Sequence, residues 1–196
     1  MEIVRYPHPS LRWKSKPINR IDSELKRTVR AMFDVMYASN GIGLAANQVG
    51  LPYRLFIVSA SGDAGLADEE LVFLNPEIVH RKGSMEGEEG CLSLPELYGQ
   101  VRRAEEIVVN AFDLDGQEFE LDLSELPARV VQHENDHIDG ILFIDRMADA
   151  ARRELEPRLS DFDAHFRRQQ EIGAFPSDEE IKRTLRNLEG QLVPTA

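Results

Sequence analysis

The sequence is short of cysteine, of long apolar runs and of basic charge. Cys91 is the single cysteine among 196 residues. No internal disulfide can form, and the thiol fits a reducing compartment or a use in chemistry. The purely apolar runs, such as Leu55-Phe56-Ile57-Val58 and Leu71-Val72-Phe73-Leu74, fall far below the roughly 20 residues that a bilayer demands, so no membrane partner is expected. With 23 Lys and Arg against 35 Asp and Glu, the chain carries a net charge of −12. Stable nucleic-acid binding is disfavoured, because phosphate recognition needs a concentrated basic face. Met1-Glu2-Ile3-Val4-Arg5-Tyr6-Pro7 has no apolar stretch of the secretory kind, and the expected location is cytoplasmic. A 42% hydrophobic share is enough for a chain of this length to build a core without cross-links.

Periodicity sets out the elements. Asp22 reads as an N-cap ahead of Leu25, Val29, Met32 and Met36, the stripe of an amphipathic helix ending at Asn40-Gly41. Strand signals cover Tyr53 to Ser59 and Leu71 to Leu74, flanking a polar loop from Ser61 to Glu70. A second Gly-rich segment, Gly83 to Gly90, reads as a loop leading into Cys91. Ile107, Val109 and Ala111 alternate into an Asp115-Gly116 turn, and Phe119, Leu121 and Leu123 alternate back as a hairpin. Ser124 caps a helix carrying Leu126, Val130, His133 and His137 on one face, closed by Gly140. Beyond it come a stripe of Leu155, Leu159, Phe162 and Phe166, with a break expected at Pro157. A capping box at Ser177-Asp178-Glu179-Glu180 then precedes Ile181, Leu185, Leu188 and Leu192. The fold class is α+β: antiparallel strands around a central helix, an N-terminal helix, a catalytic unit over 1–148 and a helical extension over 149–196.

The chemistry concentrates in His133-Glu134-Asn135-Asp136-His137. Histidines at i and i+4 share one helix face and can reach one ion, with Glu134 beside them to exchange a proton with water. A catalytic metal needs a third protein ligand and one open position. Phe143 stands where a metzincin would carry its third histidine, which leaves Glu154 or Glu156 from a following helix, or Cys91 as a thiolate. The remaining histidines, His8, His80 and His165, lack ligand spacing.

Three blocks together resemble the signature motifs of the peptide deformylases: Gly41-Ile42-Gly43-Leu44-Ala45-Ala46-Asn47-Gln48, Glu89-Gly90-Cys91-Leu92-Ser93 and Gln132-His133-Glu134-Asn135-Asp136-His137. The resemblance covers roughly residues 1–150. It implies a divalent metal held by Cys91, His133 and His137, Fe(2+) physiologically, with Zn(2+), Ni(2+) or Co(2+) able to substitute. It implies N-formylmethionyl peptides as substrates, processed during protein biosynthesis by attack of a metal-bound hydroxide. Glu134 would serve as general acid/base, and the Gln48 amide with the Leu92 backbone N–H would stabilise the oxyanion. The peptide would pair with the segment holding Ile42, Gly43 and Leu44, where Gly43 admits close backbone approach. Ile42 and residues near Val130 would wall a pocket for the methionine side chain.

Two stretches depart from the family pattern. Glu96-Leu97-Tyr98-Gly99-Gln100 lacks an arginine that some members carry near Tyr98, and Arg102 and Arg103 stand close enough to take its place at the peptide. In the tail, Arg152-Arg153 and Arg167-Arg168 faintly echo a basic ribosome-docking helix, offset by Asp161, Asp163 and Glu171. A transient ribosome contact is thus one role the resemblance raises for the tail. The Ile181–Leu192 stripe is expected to pack within the chain, giving a monomer, in preference to a dimer through the C-terminal helices.

Overall fold

The computed structural model describes residues 1–59, 61–66 and 69–192, with side chains through residue 190. Its elements run α1 (Ser23–Ala38), β1 (Gly43–Ala45), β2 (Leu55–Ser59), β3 (Glu70–Lys82), β4 (Met85–Cys91), β5 (Leu94–Arg103), β6 (Glu106–Phe112), β7 (Glu118–Ser124), α2 (Glu125–Ile138), α3 (Asp149–Glu171) and α4 (Asp178–Leu192). No helix among the described residues is long and apolar enough to cross a membrane.

The N-cap of α1 is Asp22, whose Oδ1 accepts from the Glu24 and Leu25 N–H groups at 3.0 and 2.9 Å. Its stripe of Leu25, Val29, Met32 and Met36 is buried against Leu44, Leu55, Ile57 and Leu74. The strands form a five-stranded antiparallel sheet in the order β1-β2-β3-β6-β7, with β4 and β5 paired separately. On the other face of the larger sheet, α2 packs Ala128, Val131 and Ile138 against Phe56, Phe73, Ile107 and Val109. The β6–β7 hairpin pairs Ile107 with Leu123 and Ala111 with Phe119, and Gly116 takes φ +77° in its turn.

Three local readings change. The segment from Gly83 to Gly90 is largely strand β4, paired with β5 from Met85↔Arg103 to Gly90↔Tyr98. Its glycines leave room for neighbours: a Cβ on Gly87 would lie 2.9 Å from Arg129 Nη2, and one on Gly90 2.8 Å from Tyr98 Cε1. Strand β3 extends well past Leu74, bending through irregularities on either side of Ile78. Pro157 does not break α3, which runs unbroken through it. The loop between β2 and β3 includes Ala67 and Asp68, which lie outside the described residues, as does the Leu192 side chain that was to close the α4 stripe.

The tail folds back onto the rest of the chain. Leu159 joins Leu11, Leu97, Val101, Phe143 and Met147 in one cluster. Ile181 and Leu185 bury against Phe166 beside Trp13. The expected capping box forms, with Ser177 N–H donating to Glu180 Oε2 at 2.8 Å and Glu180 N–H to Ser177 Oγ at 3.3 Å. Arg152 and Arg167 are engaged with carboxylates, the first with Asp145 and Glu156, the second with Asp163 and Asp178.

Candidate active site

Helix α2 places His133 and His137 one turn apart on its face toward β4, with ring centroids 4.9 Å apart. Cys91, the last residue of β4, brings its Sγ to 3.3 Å from His137 Nε2. One ligand atom from each of Cys91, His133 and His137 lies within 4.8 Å of the others, the one such grouping among the described residues. A single ion with bonds of about 2.0–2.3 Å to nitrogen and sulfur fits that spacing, and the donor set suits a borderline divalent metal. Glu154 and Glu156 are exposed on α3, and Glu156 is turned to Arg152, which removes them as ligands.

Behind this trio lies a buried ionic network. Glu89 Oε2 is 2.9 Å from His133 Nδ1, so the other ring nitrogen is left for the ligand cluster. The same carboxylate accepts from Arg103 through Nε and Nη2, both at 2.9 Å, and from Arg129 Nη1 at 2.7 Å. Asp136, also buried, accepts from Arg103 Nη1 and from Arg146 Nη2, the latter at 2.7 Å. Removing one member strands its partners without compensation, at a cost of about 3–5 kcal/mol. Burial raises the Glu89 pKa, but hydrogen bonds from Arg103 and His133 reverse this and hold the carboxyl far below its usual range. Burial likewise opposes charge on His133, yet Cys91 and Glu89 outweigh it and lift the pKa to about 10. Burial together with the neighbouring His133 drives His137 well below its ordinary value.

Glu134 is 4% exposed, and its Oε2 is buried without a hydrogen-bond partner. Burial pushes its pKa up to about 7. Gly43 has a structural reason of its own: a Cβ there would sit 2.6 Å from Glu134 Oε1. The room that glycine leaves is taken by this carboxylate. Gln48 is buried, and its Oε1 accepts from Ala45 N–H at 2.9 Å. That bond fixes the amide orientation, so Nε2 is turned to Cys91 Sγ at 3.5 Å and Ser93 Oγ at 3.4 Å.

A cavity of about 1000 Å³ opens over these groups, with Ile42, Gly43, Gln48, Cys91, Leu92, His133 and Glu134 in its lining. Val130 lines it too, joined by Leu126, an exposed apolar residue from the same helix face. Leu44 does not line it: the side chain is fully buried in the core beside α1, so only its backbone is available on β1. Strand β1 is an edge of the sheet, bonded to β2 on one side. Arg103 does not line the cavity either. It belongs to the buried network, while Arg102 is exposed and faces a separate small cavity with Arg81 and Arg146.

Glu89, Arg129 and Arg146 escaped the sequence reading. For Glu89 a signal exists: it stands two residues before Cys91, and the period of a strand puts both on one face. Reading Gly83 to Gly90 as a loop hid that relation.

The family model described as polypeptide deformylase matches residues 1–153. A peptide deformylase of Rhodopirellula baltica is 45% identical over 180 residues, covering 91% of this chain and 88% of that relative. One from Acidobacterium capsulatum is 47% identical over 153 residues, covering 78% and 89%. The solved structure of a Plasmodium falciparum peptide deformylase superposes with a TM-score of 0.82 at 37% identity, over 84% of this chain and 96% of that one. Because the match runs through all three motif blocks and spans most of the chain, this protein is an enzyme of the polypeptide deformylase family.

Proposed function

We propose that this chain hydrolyses the N-terminal formyl group of formyl-methionyl polypeptides and releases formate, with Glu134 as general acid/base. The observation that carries the reading is the Glu134 carboxyl. It is buried, lacks a partner on Oε2 and lines the same cavity as Cys91 and His133. Cys91 Sγ and a nitrogen each of His133 and His137 would hold a divalent metal, iron(II) by preference, which would supply Lewis acidity and acidify a water. Burial holds the Glu134 pKa up at about 7, and a cation beside it would lower that value and favour the ionised form that a base needs. It takes the proton of the attacking water and returns it to the departing methionyl amine. As negative charge grows on the formyl oxygen, Gln48 Nε2 and the Leu92 backbone N–H are the donors assigned to it. The free edge of β1 receives the peptide backbone as an added strand through Ile42 and Gly43, and Ile42, Leu126 and Val130 wall the methionine side chain. Residues 1–148 form the catalytic unit in this reading, and 149–196 an extension packed on it.

The test is formate release from formyl-Met-Ala-Ser by anaerobically purified protein, with metal content measured alongside. Cys91→Ser is expected to lose metal and activity together. A Cys91→Ser variant that kept its metal and its rate would exclude the thiolate as a ligand and the mechanism with it.

A further inference from the structure

Phe175 lies in the turn between α3 and α4, yet it lines the same cavity as Cys91 and Glu134. It also falls beyond residue 153, where the family match ends. Phe175 is 42% exposed, and Tyr98, another lining residue, is 60% exposed. Two large rings thus meet solvent at the mouth of a functional cavity, where an apolar surface marks a binding face. The cavity's volume of about 1000 Å³ is several times what a formyl-methionyl group fills, so its outer part is available to the rest of the peptide.

The turn is tied in this place by hydrogen bonds and a ring contact. Gly173 takes φ +73°, and the Ala174 and Phe175 N–H groups both donate to the Gln169 carbonyl, at 2.9 and 3.1 Å. Gln170 Nε2 donates to Pro176 O at 2.8 Å and Asp178 Oδ1 at 2.9 Å, and Arg167 Nη1 reaches the same Asp178 oxygen at 2.8 Å. Beneath, the Phe175 ring lies 5.5 Å from that of buried Phe166. Trp13 Nε1 donates to Glu189 at 2.7 Å, fastening α4 to the N-terminal segment. A preorganised aromatic wall of this kind loses little entropy when it takes up a ligand.

We propose that the α3–α4 turn is part of the substrate cleft, with Phe175 and Tyr98 binding apolar side chains of the peptide residues that follow the methionine. This rests on the deformylase reading. The occupant is the substrate's own chain, because the wall is continuous with the reaction cavity. The tail thereby sets sequence preference downstream of formyl-Met.

The test compares kcat and KM for formate release from formyl-Met-Leu-Phe and from formyl-Met amide. Phe175→Ala is expected to lower kcat/KM for the longer peptide by about fivefold to tenfold, chiefly through KM, and by less than about twofold for the amide. Phe175→Leu keeps an apolar side chain over Phe166 and is expected to lose less; it carries the test if the alanine variant fails to fold. Ile172→Ala, on the same turn but 67% exposed and outside the lining, is expected to change neither substrate. Equal losses on both substrates, or no loss on the longer one, would overturn the proposal alone. A metal-loaded wild type that turned over neither would overturn the deformylase reading and this proposal together.

Discussion

At the scale of single residues, the site works through pairs in which one side chain fixes another. Glu89 holds His133 by its Nδ1, and is itself held by Arg103 and Arg129. Glu89→Gln removes the charge that both guanidinium groups face. It is expected to weaken metal retention by about 10–100-fold and to cost about 3–5 kcal/mol of stability. Metal content after graded chelator dialysis, together with urea unfolding, measures both. Gly43 and Glu134 form a second such pair. A methyl group on Gly43 would stand 2.6 Å from Glu134 Oε1, so the carboxylate would have to move. Gly43→Ala should therefore reduce kcat by about 100-fold, as expected for a reacting group displaced by about 1 Å, while the thermal midpoint stays close to wild type. A wild-type kcat in that variant would show that the carboxylate tolerates displacement.

At the scale of elements, His8 links the N-terminal 3-10 turn Pro9–Arg12 to the tail. Its Nδ1 accepts from Ser10 N–H at 3.2 Å, and its ring packs edge-on against Phe166. Burial lowers its pKa from 6.5 to about 4, partly opposed by Asp178 of α4. The folded state thus binds a proton less readily than the unfolded one, so His8 costs nothing above about pH 6.5 and takes stability away as pH falls toward about 4. His8→Asn keeps an acceptor for Ser10 but cannot titrate. Urea unfolding of the apo-protein at several values between about pH 7.5 and 4.5 should show the variant losing less stability than wild type. Parallel losses would remove His8 as the cause.

Elements governed by local pattern were legible in the sequence. The α1 stripe, the β6–β7 hairpin and the Ser177–Glu180 capping box need only periodicity and short-range hydrogen bonds. Strand β4 was not, because glycine and glutamate have little intrinsic preference for strands. Its conformation comes from pairing with β5 and from room left for Arg129 and Tyr98. Cys91, His133, His137 and Gln48 were legible through their motif blocks; the structure brings the first three together and puts Cys91, His133 and Gln48 in the lining of one cavity. The joining of Glu89 and Asp136 through shared guanidinium groups was not legible, since the members converge from β4, β5, α2 and the segment after α2 with no fixed spacing between them.

At the scale of the whole molecule, α2 stands between two apolar clusters and turns its polar face to the cavity. The larger sheet covers one side, and β5 with the segment after α2 covers the other. The tail is joined to this arrangement through Leu159 in the latter cluster and through Phe166, Ile181 and Leu185 around Trp13. Since Trp13 is the single tryptophan, its fluorescence reports on tail packing while far-UV circular dichroism reports on the whole. Both should follow one unfolding transition, and Leu185→Ala should move both midpoints together, at a cost of about 2–5 kcal/mol. A fluorescence change that preceded the loss of secondary structure would mean that the tail opens independently.

The most direct test of the account separates metal from chemistry at Glu134. Wild type and Glu134→Gln, purified without oxygen, are assayed for bound metal and for formate release from formyl-Met-Ala-Ser. Equal metal content is expected, because Cys91, His133 and His137 are untouched, with the variant's rate lower by about 10²–10⁴-fold. A metal-loaded variant that released formate at the wild-type rate would contradict the account, as would a metal-loaded wild type that released none.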